Sequence, residues 1–250
     1  MQGFKRATTS LKTFTMHENC NTCDPDHVAH FYSVPLIVIV ENAATDGEWL
    51  NMVARHLRPS LRYLLKLDKN MVDIRQAGGI GEIPKEIRRL ATERSKIRPS
   101  GAPIRIVAIA DSDAKVPGQP SIQANDVRAT AAEHDVASHI LSKRTIENYI
   151  PDSALKAYCN TRKDQKDAAN LISTLTGPAR DHYPVKAGLS QKELDATAIY
   201  PDDTPLEVGM GDFILDLLEN FSWTIEGHEL RARDGSAELD QVLDTLEENL

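Results

Sequence analysis

"IRIVAIADSD", residues 104–113, is an apolar run that stops abruptly at two carboxylates, Asp111 and Asp113, with one serine between them. A short run rich in β-branched residues and bounded by turn formers predicts a buried strand. Residues i and i+2 of a strand face the same side, so both acids would lie just past its tip, with Ser112 mainly a spacer. Taken alone, the run fits a Walker B segment, a phosphohydrolase aspartate pair, a sugar-nucleotide DxD or a metal-binding nuclease site.

The flanking pattern narrows the choice. Upstream, "PLIVIVE" (35–41) predicts a first buried strand, and residues 46–67 carry a helical pattern interrupted by Pro59. "MVDIRQA" (71–77) predicts a weaker strand that stops at Gly78 and Gly79, and "IPKEIRRLATERS" (83–95) a helix with Pro84 near its first turn. Downstream, "QANDVRATAAEH" (123–134) predicts a helix and "VASHILS" (136–142) a fourth strand. Strictly alternating elements with near-continuous apolar strands imply an α/β fold whose parallel sheet is covered on both faces. Such a sheet gathers its chemistry at the carboxyl ends of its strands.

The chain reads as an N-terminal arm (1–33), an α/β domain (34–150) and a mostly helical region (151–250). The last is either a subdomain or an outer layer of the same core. Leu239, Val242, Leu243 and Leu246 give the terminal segment an apolar stripe, expected either to dock on the body or to bind a partner.

Composition is that of an ordinary globular chain, 250 residues with 41% hydrophobic and 26% charged. No stretch approaches the ~18–20 apolar residues of a membrane span, and residues 1–15 lack the apolar core of a secretory signal, so a cytoplasmic location is expected. The net charge of −8 conceals an asymmetry: residues 55–105 hold thirteen Lys and Arg against five acids, residues 187–250 three against sixteen. A local basic surface is what phosphate backbones respond to, so overall acidity does not exclude nucleic acid.

Three further acids stand at strand tips. Glu41 ends the first apolar run, Asp46 follows in "ENAATD", and Glu147 lies beyond the fourth strand in "RTIENYI" (144–150). Thr45 and Glu48 fit a capping box, which accounts for them but only partly for Asp46 and not for Glu41. Neighbouring strands lie about 5 Å apart, and two carboxylates 4 Å apart repel by about 4 kcal/mol at an effective dielectric near 20. A cation is required, and all-oxygen ligation by acids favours Mg²⁺ or Mn²⁺ over zinc. A P-loop reading fails because "GGIGE" (78–82) carries no Gly-Lys-Ser/Thr and reads as a turn with positive φ angles. A haloacid-dehalogenase reading fails because its aspartate pair belongs on the first strand of the core.

With a glutamate after the first strand, a DxD after the third and a βαβαβαβ order, residues 35–150 resemble a Toprim domain, the metal-binding module of topoisomerases, primases and several nucleases. More narrowly, Asp46, the glycines after strand two and "RTIENYI" are similar to Toprim nucleases of the OLD family and their stand-alone antiphage relatives. This chain departs from that pattern in reading "ENAATD" where a glycine usually follows the glutamate directly. The resemblance implies two divalent ions held by Glu41, Asp46, Asp111, Asp113 and Glu147, with Lys186 in "HYPVKAGL" supplying the transition-state cation and Lys143 or Arg144 as second choices. It further implies a phosphodiester substrate in DNA or tRNA, a role as a prokaryotic defence effector, and an ATPase partner in trans; a homo-oligomer is compatible with it. A small RNA-maturing Toprim ribonuclease is the enzymatic alternative. A catalytically weak binding module that docks an ATPase through its acidic tail helix is the non-enzymatic one. Arg88, Arg89, Arg94, Lys96 and Arg98, with Lys143 and Arg144, are the expected contacts to a phosphate backbone. Cys20, Cys23, His27 and His30, with His17 upstream, invite a zinc reading, but only three residues separate Cys23 from His27, which argues against the usual finger.

Overall fold

The computed structural model describes residues 25–67 and 71–250. Four strands stand where the apolar runs predict them: β1 (Leu36–Val40), β2 (Val72–Gln76), β3 (Ile106–Ala110) and β4 (Ala137–Ile140). They form one all-parallel sheet in the order β2-β1-β3-β4. From β1 the chain steps outward to β2 and then crosses back to β3 on the other side of β1, which makes the gap between β1 and β3 the topological switch point. The register pairs Ile39 with Ala108, so the ends of β1 and β3 lie side by side.

Alternation of side chains assigns a core to each face. Leu36, Val38, Val40, Val107 and Ile109 point to one side. There they meet α2 (Ala43–Leu57) and much of the C-terminal half. Ile37, Ile39, Ile106, Ala108 and Ala110 point to the other side and pack on Ile83, Ile87 and Leu90 of α4 (Ile83–Ser95) and on Val127 and Ala131 of α5 (Ile122–Glu133). Both faces are therefore apolar, as the near-continuous strands demand.

The helix after β1 starts earlier than the Thr45 capping box implies. Asn42 is its N-cap, accepting from the Ala44 and Thr45 amides at 3.0 and 3.5 Å, so Thr45 and Asp46 already lie inside the first turn. Asn caps as well as Thr does, and here it comes first. Pro59 separates α2 from α3 (Pro59–Leu67), since proline lacks the amide that would continue the ladder. Residues 25–33 form α1 (Pro25–Ser33) rather than an irregular arm, with Phe31 buried and Arg105 donating to the Tyr32 carbonyl at 3.0 Å.

The C-terminal half is the outer layer of the first core. It contributes α6 (Asp152–Thr161), α7 (Lys166–Thr174), α8 (Gly177–Asp181), α9 (Gln191–Ala196), α10 (Ile214–Asn220), α11 (Gly227–Asp234) and α12 (Glu238–Asn249). Leu155, Ile172, Leu217 and Leu230 join the same apolar cluster as Val38 and Val107. Leu239, Val242, Leu243 and Leu246 of α12 are fully buried in it. The stripe thus docks on the body and is not available to a partner; Arg58 secures the outer side of α12 by ion pairs to Asp240 and Asp244 at 2.8 and 2.6 Å. Among the described residues no helix is long and apolar enough to cross a membrane.

Candidate functional site

Glu41 sits at the tip of β1. Its carbonyl accepts from Gly78, whose φ of +92° turns the chain after β2 back over the site, a conformation that favours glycine. One carboxylate oxygen of Glu41, Oε1, is buried without a hydrogen-bond partner. Burial, followed by the charges of Asp113 and Asp46, pushes its pKa up to about 7. Asp46 folds back from the first turn of α2 to accept from the Asn42 amide at 2.9 Å and the Thr45 hydroxyl at 3.1 Å. Burial still leaves it above the ordinary carboxylate range.

Asp111 follows β3 and accepts from the Ile146 amide at 3.0 Å. Burial, then the charges of Glu147, Glu41, Asp46 and Asp113, hold its carboxyl well above the usual range. Asp113 does not continue the strand: its φ is +49°, its side chain lies toward solvent, and its amide bonds the Arg144 carbonyl at 2.9 Å. Burial raises its pKa too, against the opposing charges of Arg144 and Lys186. Ser112 is more than the expected spacer. It is buried, donates to the Lys143 carbonyl at 2.6 Å and accepts from the Ala114 amide at 3.2 Å, so it stitches the β3 tip to the segment after β4. His182 braces the same loop from α8's end, with Nδ1 2.9 Å from the Ala114 carbonyl.

Glu147 lies in a 3-10 turn (Ile146–Tyr149) and is 1% exposed. Each neighbour in its motif has a fixing role. Asn148 accepts from the Thr145 amide and hydroxyl, both at 3.0 Å, and donates to the carbonyls of Arg180 and Tyr183. The Tyr149 hydroxyl donates to Glu238, the first residue of α12, which also accepts from the Ser142 amide and hydroxyl and meets His139 at 3.0 Å. Lys186 reaches Glu147 Oε1 at 3.1 Å. Burial works to lower its ammonium, but the Glu147 carboxylate outweighs that and leaves its pKa raised.

The crevice between β1 and β3 thus brings Glu41, Asp46, Asp111, Asp113, Glu147 and Lys186 within electrostatic reach of one another. Among the described residues no group of three or more His, Cys, Asp or Glu side chains stands ready-made as a metal cage. Mg²⁺ asks for less, since it is ordinarily held by one or two carboxylates and keeps several waters. Glu41 Oε1 and carboxyls raised chiefly by burial, and further by one another's charge, leave oxygen lone pairs that a cation could take.

The expected phosphate contacts are not brought together. Arg94 is 8% exposed and donates to the Pro35 carbonyl at 2.7 Å, just before β1, which puts the end of α4 at the amino end of the sheet. At ~1.5 Å per residue, that end lies about 20 Å from the carboxyl-end crevice. Lys96 and Arg98 follow Arg94, and Arg98 is paired to Asp135 at 2.5 Å. Arg89 is held between Glu86 and Glu93, and Arg88 donates to Thr130 at 3.2 Å. Lys143 is 5% exposed, bonded to Asp181 at 2.6 Å and lying 5.5 Å over the Tyr149 ring, so it is a core cation and not a surface contact. Arg144 alone of the set borders the crevice. His17, Cys20 and Cys23 lie outside the described residues, while His27 is engaged with the Ile97 carbonyl at 2.8 Å and His30 is exposed on α1.

Sequence reasoning missed Ser112, His182, Lys115, Glu193 and Glu238. Ser112 carried a signal as a small polar residue between two acids, and Lys115 stands two residues past Asp113 with nothing else to mark it; His182, Glu193 and Glu238 come from helices and loops too far along the chain for spacing to connect them. The protein is of the class with a parallel α/β sheet and an acidic crevice at its switch point. Comparison with protein-family models, curated proteins and solved structures finds no match.

Proposed function

We propose that the chain is a divalent-metal-dependent nuclease of the Toprim kind, hydrolysing phosphodiester bonds in DNA or RNA. The observation that carries this reading is the convergence of Glu41, Asp46, Asp111, Asp113 and Glu147 on the crevice between β1 and β3, with Lys186 paired to Glu147. Glu41 and Asp111 offer carboxylates from adjacent strand tips, Asp113 an exposed one at the mouth, and Asp46 and Glu147 border the floor. The chemistry that bound Mg²⁺ or Mn²⁺ supplies at such a site is a lowered pKa for water and stabilisation of charge on phosphoryl oxygens. Lys186, held by Glu147, would be the cation that offsets charge developing on the phosphoryl group. The buried turn around Asn148 and Tyr149 fixes Glu147 before any substrate arrives, which is the preorganisation catalysis needs. The setting the Toprim resemblance suggests is an antiphage effector working with an ATPase; since the apolar face of α12 is buried, such a partner would dock elsewhere.

The test is incubation of the purified protein with plasmid DNA and with total tRNA, with Mg²⁺, Mn²⁺ or chelator. Metal-dependent cleavage that disappears in Glu41→Ala and in Asp111→Ala is expected. Cleavage that survives both substitutions would sink the site, and cleavage unaffected by chelator would sink the metal.

A further inference from the structure

Two cations at the mouth of the crevice end on a single carboxylate oxygen. Lys115, two residues past Asp113, places Nζ 3.2 Å from Glu193 Oε1, and Arg144 donates to the same oxygen at 3.0 Å. Glu193 belongs to α9, where the Ser190 hydroxyl donates to its other oxygen at 3.2 Å and its side chain is only 12% exposed. Lys115 is 54% exposed and Arg144 16%. Arg144 is also the cation that acts most on Asp113, and its carbonyl receives the Asp113 amide. The ion-paired pair of cations is therefore continuous with the acidic crevice and opens to solvent through Lys115.

An oxygen anion bridging a lysine and an arginine has the charge and the acceptor chemistry of a backbone phosphate. Without it, two like charges would stand side by side next to loop 113–116; with it, they are neutralised and aimed. The Lys115 arm, on a half-exposed lysine, is weak in water and exchanges readily, whereas the Arg144 arm is largely enclosed. We propose that Lys115 and Arg144 form a backbone-phosphate subsite beside Asp113, and that Glu193 is an internal anion which a substrate phosphate displaces. The ligand is the phosphodiester backbone of a nucleic acid, and the proposal rests on the nuclease reading. It also answers why the arginines of α4 are absent from the crevice: the cations that meet the backbone come from the loop after the DxD and from the residue before the Glu147 turn.

The experiment measures Kd against salt concentration for a fluorescein-labelled duplex DNA and a labelled tRNA, with Ca²⁺ in place of Mg²⁺, alongside metal-dependent cleavage by the wild type. Each phosphate contact contributes about 0.9 to the slope of log Kobs against log salt for duplex DNA and about 0.7 for single strands. Lys115→Ala should weaken binding and make the slope shallower by about that amount. Glu193→Gln should move both the other way, with tighter binding and a steeper slope, a direction that damage to the fold does not produce. An unchanged slope for Lys115→Ala on both probes, or weaker binding by Glu193→Gln, overturns the subsite while wild-type cleavage leaves the nuclease reading standing. No metal-dependent cleavage by the wild type overturns the nuclease reading, and the subsite with it.

Discussion

Lys143 and Lys186 show how burial separates two lysines that look alike in sequence. Lys143 is enclosed with Asp181 and Tyr149, so Lys143→Ala empties the packed site over the Tyr149 ring and leaves Asp181 with Arg233, at 2.6 Å, as its remaining cation. We expect a loss of about 1–3 kcal/mol in a denaturant titration, short of the full cost of a stranded buried charge because Arg233 remains, with nucleic-acid affinity unchanged per folded molecule. Lys186 is half-exposed and meets Glu147. Lys186→Ala removes the cation from the buried Glu147 carboxylate, so it should lower the melting temperature of the metal-free protein, and it should lower kcat per folded molecule by about 10²-fold or more, the range for loss of one transition-state donor. A kcat within a few-fold of wild type would reassign the role. Ser112 belongs at this scale too: Ser112→Ala leaves the Ala114 amide without its acceptor and should cost about 1–3 kcal/mol as well as activity, since the loop it anchors carries Asp113.

The strands and α4 were legible in the sequence because their signals are local. "LIVIV" and "IVAIA" are continuous apolar runs, and Ile83, Ile87, Leu90 and Ala91 repeat at helical spacing. The start of α2 was misread because Thr45 with Glu48 and Asn42 alone are both adequate caps, and only the backbone path chooses between them. The acids at the strand tips were legible through the order of the elements. The cations were not: charge counting locates Arg94 on a basic stretch, but not at the opposite end of the sheet, nor Lys143 in the core. Glu238 was invisible for a related reason, being an acid in an acidic helix until α12 docks and brings it to Tyr149. Its contacts to His139 and Ser142 tie α12 to the end of β4, and its contact to Tyr149 ties it to the turn bearing Glu147, so Glu238→Ala should reduce metal-dependent activity even where Asp244→Ala, on the exposed side of the same helix, does not. Equal loss in both would point to a general effect of helix charge.

For the molecule as a whole, the acidic crevice is a cost that a bound cation would relieve. A carboxyl whose pKa is raised by folding, as Glu41 is to about 7, favours the folded state below the unfolded value and loses that contribution as pH rises through the folded one. Between about pH 4.5 and 7 the metal-free protein should therefore lose up to about 3 kcal/mol through Glu41. His56 and His182, whose pKa values are lowered chiefly by burial, act in the opposite sense below about pH 6.5, so the readout is wild type minus Glu41→Gln, in which they cancel. Added Mg²⁺ should flatten that difference; a difference that stays flat without metal would show that Glu41 carries no such burden.

The shared core sets where this chain can be divided. Residues 35–150 have the outline of a self-sufficient module, yet Val38, Val40, Val107 and Ile109 find their partners among residues that follow. A fragment ending at 150 would keep α2 on that face but leave the part covered by the C-terminal helices as an exposed apolar surface. Such a fragment is expected to precipitate or to be recovered from inclusion bodies. A protease that clips the loops between helices of the C-terminal half should yield a nicked but associated body, not a released α/β piece.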